Sequence, residues 1–185
     1  MNNVYGYATH VGPLAFAISD SEGYVFEVGA GMVSTPIIHT MLMNTEPQRE
    51  IISFENNDRW FGPLARDFRC PWHEFVHYVD LSRVFDLFKG PEKGPESAGV
   101  ILVDNDLPGK TLEEVHGARL AVVQEALKWA KYVVVHDTEE KSVREGLERF
   151  ELFSVPHLSF KTNPETTIFS KKVDPLERFK AWIGV

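Results

Sequence analysis

The chain is short of cysteine, of long apolar runs and of positive charge, and each shortage removes a class of protein. Cys70 is the sole cysteine, so no intrachain disulfide forms and a cysteine-rich zinc site is excluded. No segment approaches the ~20 apolar residues needed to span a bilayer, and Met1-Asn2-Asn3-Val4-Tyr5 lacks the basic start and apolar run of a secretory leader. A cytoplasmic setting without membrane contact is expected. Lys and Arg number 19 against 27 Asp and Glu, for a net charge of -8, whereas phosphate binding relies on clustered cations that release counterions. A nucleic-acid partner is therefore not expected. Internal repeats and low-complexity tracts are lacking too. What remains is ordinary globular composition, 43% hydrophobic and 25% charged over 185 residues, which suits a single domain over residues 1–185 with one core.

Apolar runs alternate with helical patterns along the chain. Residues 23–28 read as a first strand buried on both faces, ending at Gly29-Ala30-Gly31. Ser34-Thr35-Pro36 predicts a helix start with a hydroxyl cap and an early proline, followed by a stripe of Ile37, Ile38, Met41 and Leu42. A second strand at 50–54 ends at Glu55-Asn56-Asn57, and a helix over 58–68 follows. Residues 75–79 read as a third strand ending at Asp80. Gly90-Pro91-Glu92-Lys93-Gly94-Pro95 is a turn-rich loop, too short for a domain linker. Residues 99–103 form a fourth strand ending at Asp104-Asn105-Asp106. Thr111 and Glu114 match a capping box, which opens a long helix to residue 131. A fifth strand at 132–135 ends at His136-Asp137, with a helix over 139–150. Segments 152–161 and 166–172, separated by Asn163-Pro164-Glu165, read as an antiparallel hairpin. Strands that alternate with helices predict a three-layer, doubly wound α/β fold with a mainly parallel sheet. Ligands on such sheets bind beyond the carboxyl ends of the strands, where strand order reverses.

Polar residues at those ends are the candidates for chemistry. Glu27-Val28-Gly29-Ala30-Gly31 closes a strand and opens a helix, so backbone can approach a ligand where a side chain would collide. Ser34 stands where the third glycine of a dinucleotide fingerprint would fall, which counts against a pyrophosphate cradle. Glu55, roughly 25 residues beyond the glycines, can accept both hydroxyls of a ribose. The plainer alternatives are a tight strand-to-helix turn for the glycines, and a solvated loop carboxylate or helix cap for Glu55.

Taken in order, these segments resemble the class I (Rossmann-like) S-adenosylmethionine-dependent methyltransferases over nearly the whole chain. Phe26-Glu27-Val28-Gly29-Ala30-Gly31 is similar to the family's first motif, Ser53-Phe54-Glu55-Asn56 to its acidic second-strand end, and Val103-Asp104 to its fourth-strand end. Val135-His136-Asp137-Thr138 resembles the fifth-strand segment of the branch that includes sugar and small-molecule O-methyltransferases. The hairpin completes a seven-stranded sheet whose last strand is inserted antiparallel.

The resemblance implies that Glu27, Gly29, Ala30 and Gly31 lie against the methionine part of S-adenosylmethionine. Glu55 then holds the ribose, Asn56 lies near the adenine, and Asp80 faces the adenine amino group unless it caps the helix from Leu81. It further implies that Tyr7-Ala8-Thr9-His10, with 11–18 behind it, folds over the cofactor, which makes His10 a candidate contact.

Asp104, Asp106, His136 and Asp137 converge if the fourth and fifth strands are neighbours. Two catalytic readings stand open. In one, Asp104 and Asp137 hold a divalent cation such as Mg2+ that orients an acceptor hydroxyl. In the other, His136 or Asp104 is a metal-free general base. A third use of Asp137 is helix capping with Glu140. Relatives that need metal carry paired acidic or amide ligands after the fifth strand, and His136-Asp137-Thr138-Glu139 departs from that pattern. The acceptor expected from the resemblance is a small molecule or sugar, with Phe85, Leu87 and Phe88 as candidate lining. A non-catalytic S-adenosylmethionine-binding protein and a nicotinamide-dependent oxidoreductase are the alternatives, and a homodimer is left open.

Overall fold

A computed structural model describes residues 8–88, 98–107 and 109–185. Its seven strands form one sheet in the order β3-β2-β1-β4-β5-β7-β6. The strands are β1 (Tyr24–Val28), β2 (Ile51–Glu55), β3 (His73–His77), β4 (Ala98–Val103), β5 (Ala130–His136), β6 (His157–Phe160) and β7 (Thr166–Phe169). β1 to β5 pair in parallel, and β7 runs antiparallel to both β5 and β6. The mainly parallel sheet with a terminal antiparallel hairpin is therefore as the sequence predicts.

Successive side chains of a strand point to opposite faces, and this sorts the core. Phe26, Val28, Ile52, Phe54, Ile101, Val103, Val133 and Val135 face one side. The helices α4 (Leu81–Phe88), α5 (Leu112–Trp129) and α6 (Lys141–Arg149) cover it. Val25, Ile51, Val100, Leu102, Tyr132 and Val134 face the other side. There α1 (Val11–Ser19), α2 (Ser34–Leu42), α3 (Asp58–Phe68) and α7 (Pro175–Ile183) pack. By the same alternation Glu27, Ser53, Glu55 and His136, together with Asp104 one step past β4, belong to the second face. Reversal of strand order falls between β1 and β4, at the glycine turn.

Several local expectations change. β3 begins at His73, two residues earlier than the apolar run suggests, because His73 is buried on hydrogen-bonding partners from β2 and α2. Ser34 and Thr35 do not cap α2, whose first residue follows Val33 without a side-chain cap. Both are buried facing the sheet instead, and of the proposed stripe only Ile38 and Leu42 are buried. α5 keeps its capping box at Thr111 and Glu114 but ends at Trp129, and β5 starts at once. α6 starts at Lys141 rather than 139, since Asp137 adopts a left-handed backbone (φ 57) before it. The first hairpin segment is shorter than expected, with Leu152–Ser154 forming a 3-10 turn.

α7 was not expected at all. Asp174 accepts hydrogen bonds from the Leu176 and Glu177 N–H groups, Pro175 occupies the first turn and Gly184 ends the helix. Its Phe179 and Trp182 rings pack edge-on or tilted against Phe16 of α1 at 5.3 and 5.8 Å. Arg178 also donates to Asp20 at the end of α1. Phe88 is fully buried, and Phe85 and Leu87 pack on the same core, so these residues support the sheet rather than line an acceptor pocket. The loop 90–95 lies outside the described residues. No helix among the described residues is long and apolar enough to cross a membrane.

Candidate active site

Gly29 makes the turn after β1 possible. Its φ is +93°, and a Cβ placed there would stand 2.3 Å from the Asp104 carbonyl oxygen. Only glycine fits both the conformation and the contact. The Gly29 and Ala30 N–H groups donate to the Phe54 carbonyl at 3.0 and 3.1 Å, which ties the turn to β2. The Gly31 N–H donates to Thr35 Oγ1 at 3.1 Å.

Glu27 lies under this turn with no exposure. Its Oε2 accepts from Ser53 Oγ at 2.6 Å and from Thr35 Oγ1 at 2.8 Å. Oε1 is buried without a hydrogen-bond partner among the described residues. Burial pushes the carboxyl up to about 7, against the pull of the Ser34, Ser53 and Thr35 hydroxyls and with the help of the Asp104 charge. A buried, half-satisfied carboxyl near neutrality is primed to meet a positive charge.

At the end of β2, Glu55 Oε1 accepts from the Asn56 and Asn57 N–H groups at 2.9 and 2.7 Å. Burial raises this carboxyl, and those two N–H groups hold it back. Asn57, not Glu55, caps α3 by accepting from the Arg59 N–H. The Asn56 amide donates to the Asp106 carbonyl at 2.9 Å and so links the β2 and β4 ends. Asp80 is exposed and accepts from the Ser82 N–H at 2.9 Å, so it holds the first turn of α4.

The second half of the site sits at the ends of β4 and β5. His136 Nδ1 lies 3.3 Å from Asp104 Oδ1 and 3.2 Å from Asp137 Oδ1. Its Nε2 lies 3.2 Å from the Thr9 hydroxyl. Burial alone would lower the imidazole, but the Asp104 hydrogen bond and the charges of Asp104 and Asp137 outweigh it and leave the ring above its usual value. Burial raises Asp104, yet His136 and Arg119 bring its carboxyl below the usual range. Asp137 faces this cluster rather than capping α6. Asp106 is exposed and does not join it; its carboxylate accepts its neighbour's Leu107 N–H.

His10 stands just before α1 and packs edge-on against His136, with ring centroids 4.8 Å apart. It is therefore on the His136 side of the site. Both of its ring nitrogens are buried without a hydrogen-bond partner among the described residues. Burial, with the His136 charge, pushes it down to about 4, so it is a neutral ring at physiological pH. Of the segment Tyr7-Ala8-Thr9-His10, expected to fold over the ligand, Tyr7 lies outside the described residues, while α1 behind it packs on the sheet.

Arg119 went unnoticed in the sequence. It projects from α5, buried, and its guanidinium donates to Asp137 Oδ2 (3.1 Å), the His136 carbonyl (3.2 Å) and the Asn105 carbonyl (3.1 Å). Its Nη2 is 3.5 Å from Asp104 Oδ1. One cation thus holds both strand ends and offsets both carboxylates. The available signal was a lone Arg beside Leu120 and Val122 on a helix that must cover the sheet. Ser53 and His73 give no functional signal in the sequence, since each is a polar or titratable residue beside an apolar neighbour, and Thr35 reads there only as a helix-start hydroxyl.

Comparisons with known structures agree on architecture. Human methyltransferase 10 domain containing protein superposes with a TM-score of 0.56 at 12% identity, over 90% of this chain and 84% of that one. Human methyltransferase-like protein 13, in complex with SAH, gives 0.55 at 16% identity over 98% and 88%. An S-adenosylmethionine-dependent O-methyltransferase from Thermotoga maritima gives 0.56 at 9% identity over 86% and 63%. No protein-family model and no curated protein matches the sequence.

Proposed function

For a chain with the class I, Rossmann-like methyltransferase fold, we propose that S-adenosylmethionine binds at the glycine turn and that its methyl group passes to a hydroxyl of a small molecule or sugar. The observation that carries this reading is the His136 ring, held through Nδ1 by Asp104 and Asp137 with Nε2 turned to the Thr9 hydroxyl. The donor side fits as well. Glu27 presents a buried Oε1 without a partner among the described residues, and Glu55 ends β2 where a ribose would lie. Bound there, S-adenosylmethionine supplies an electrophilic methyl on a cationic sulfur.

His136 performs the proton chemistry. With its Nδ1–H shared between Asp104 and Asp137, the neutral ring offers Nε2 as a base to a hydroxyl, in the position that Thr9 Oγ1 takes at 3.2 Å. It takes the acceptor's proton as the hydroxyl oxygen attacks, and the imidazolium that forms is stabilised by the two carboxylates. Arg119 keeps those carboxylates in place. A hydroxyl acceptor suits this arrangement, because an alcohol is a weak nucleophile until its proton leaves. The net charge of -8 favours a small acceptor over a nucleic acid.

Asp104, His136 and Asp137 offer three ligand atoms within 4.8 Å of one another. They do not fit a resident divalent cation, since the Arg119 guanidinium already bridges both carboxylates and would be driven off by it. Turnover should therefore persist undiminished in EDTA, measured with labelled methyl donor, and restoration of lost activity by Mg2+ or Mn2+ would reject the metal-free reading.

The donor is tested by melting temperature and calorimetry. S-adenosylmethionine and S-adenosylhomocysteine should raise the melting temperature while NAD does not, because only a ligand of the native state stabilises it. Glu55→Ala should weaken both ligands by about 1.5–3 kcal/mol through lost charge-assisted hydrogen bonds. A shift with NAD alone would instead support a nicotinamide-dependent oxidoreductase, against which the antiparallel β7 and the absent third glycine already argue. Mass spectrometry of candidate acceptors then identifies the product.

A further inference from the structure

A line of hydrogen bonds leads away from Glu27 to the outer side of α2. Ser53 Oγ lies 2.6 Å from Glu27 Oε2 and 2.9 Å from His73 Nε2. His73 Nδ1 lies 2.9 Å from His39 Nδ1. Glu27, Ser53 and His73 are buried, whereas His39 is half-buried and reaches solvent.

Every link joins groups that can both donate and accept, so the line has two polarities. With Glu27 ionised, Ser53 must give its single proton to the carboxylate. His73 then donates to Ser53 from Nε2 and accepts at Nδ1 from His39. With Glu27 neutral, the carboxyl O–H donates to Ser53, Ser53 donates to His73 Nε2, and His73 donates from Nδ1 to His39. We propose that Glu27, Ser53, His73 and His39 form a proton relay through which Glu27 acquires its charge when a cationic ligand seats at the glycine turn, with His73 and His39 as positioning residues.

The relay rests on the cofactor reading above for its ligand, and on these four residues alone for its path. Its step balances. The Glu27 O–H bond breaks as a new O–H forms on Ser53, whose former proton makes an N–H at His73 Nε2. The His73 Nδ1 proton moves to His39 Nδ1, and His39 releases its Nε2 proton to water. One proton leaves, one carboxylate appears, and both imidazoles change tautomer without becoming charged.

The surroundings suit such a step. Around Glu27 stand Ser34 and Thr35 from α2, Ser53 from β2 and, through its charge, Asp104 from β4. Burial and His39 hold His73 down to about 3, so its ring carries its proton as a neutral tautomer, and burial also lowers His39. Trp72 and Phe75 flank His73, while Phe68 and Trp72 flank His39, all of them uncharged.

The test is the tautomer of His73, read by 15N NMR on the full chain with labelled histidine. As pH rises from about 5.5 to about 9, across the range where a carboxyl near 7 ionises, His73 should pass from Nδ1–H to Nε2–H with no imidazolium. Saturating S-adenosylmethionine at the low end of that range should produce the same change. Ser53→Ala should leave His73 in one tautomer at every pH. A single unchanging tautomer in the wild-type chain, or the same titration in Ser53→Ala, would overturn the relay. The wild-type pH series needs neither a variant nor a ligand, so it judges the relay even if calorimetry shows that S-adenosylmethionine does not bind and the cofactor reading fails.

Discussion

If His136 is the general base proposed above, His136→Asn should lower methyl transfer by ~10²–10⁴-fold, the range contributed by a positioned general base, and leave S-adenosylmethionine affinity close to that of the wild type. Asparagine can still donate toward Asp104 and Asp137, so the strand ends keep their arrangement, but it has no lone pair of comparable basicity. The pH profile carries the sharper information. A His136 base would act only as the neutral ring, so the wild-type rate should climb as pH rises through the His136 titration, which Asp104 and Asp137 hold above the usual imidazole value against the pull of burial. Asp104→Asn removes the strongest of those supports, and the rise should move to lower pH. Turnover must be compared only among variants that fold and bind the donor, since a drop in either imitates lost chemistry. Wild-type turnover in a folded His136→Asn chain would remove the ring from the mechanism.

Gly29→Val costs about 3 kcal/mol or more of stability in the absence of any ligand. A side chain at φ +93° is strained by ~1–3 kcal/mol on its own. The added Cβ also meets the Asp104 carbonyl oxygen at 2.3 Å and the Asn105 nitrogen at 2.7 Å. Both are backbone atoms at the end of β4, so neither gives way as a flexible side chain would, and the β-branch adds further crowding. Thermal denaturation of the free protein checks this, and a melting temperature equal to the wild type would show that the turn tolerates what the geometry forbids. Gly31→Ala is the companion measurement. There the nearest atom to an added Cβ is the Ser34 hydroxyl at 3.1 Å, which can rotate, so the fold survives and a loss of donor affinity reports on the ligand. The two glycines of one motif therefore have different duties: Gly29 is required by the fold, and Gly31 is the one whose substitution speaks to binding.

The legibility of the sequence followed the reach of each interaction. α3 was readable to its ends, because Asn57 caps it and Asp58 to Phe68 carries its own helical pattern. The Thr111 and Glu114 box was equally local. β3 was misplaced by two residues because a histidine at its start looked like a loop residue. His73 is in the strand only because Ser53 and His39, from two other elements, satisfy both of its nitrogens. α7 escaped notice although Asp174-Pro175 and Gly184 mark its ends, since its aromatic residues make sense only against Phe16.

Alternating apolar runs and helical stretches, the glycine turn after Val28 and the acidic residues at strand ends were written into the chain itself, because burial, backbone freedom and capping act over a few residues. The parity of β2 also set in advance that Ser53 and Glu55 would share a face, whereas strand pairing put Glu27 and His136 on the same one. Tertiary structure alone decided what those residues do to one another. Pairing of β4 with β5 set His136 between Asp104 and Asp137, and the packing of α5 brought in the Arg119 cation that offsets both. Pairing of β1, β2 and β3 joined Glu27 to His73 through Ser53. Proton affinity and charge compensation depend on distances of a few ångströms between segments far apart in the chain, and only the folded sheet supplies those distances.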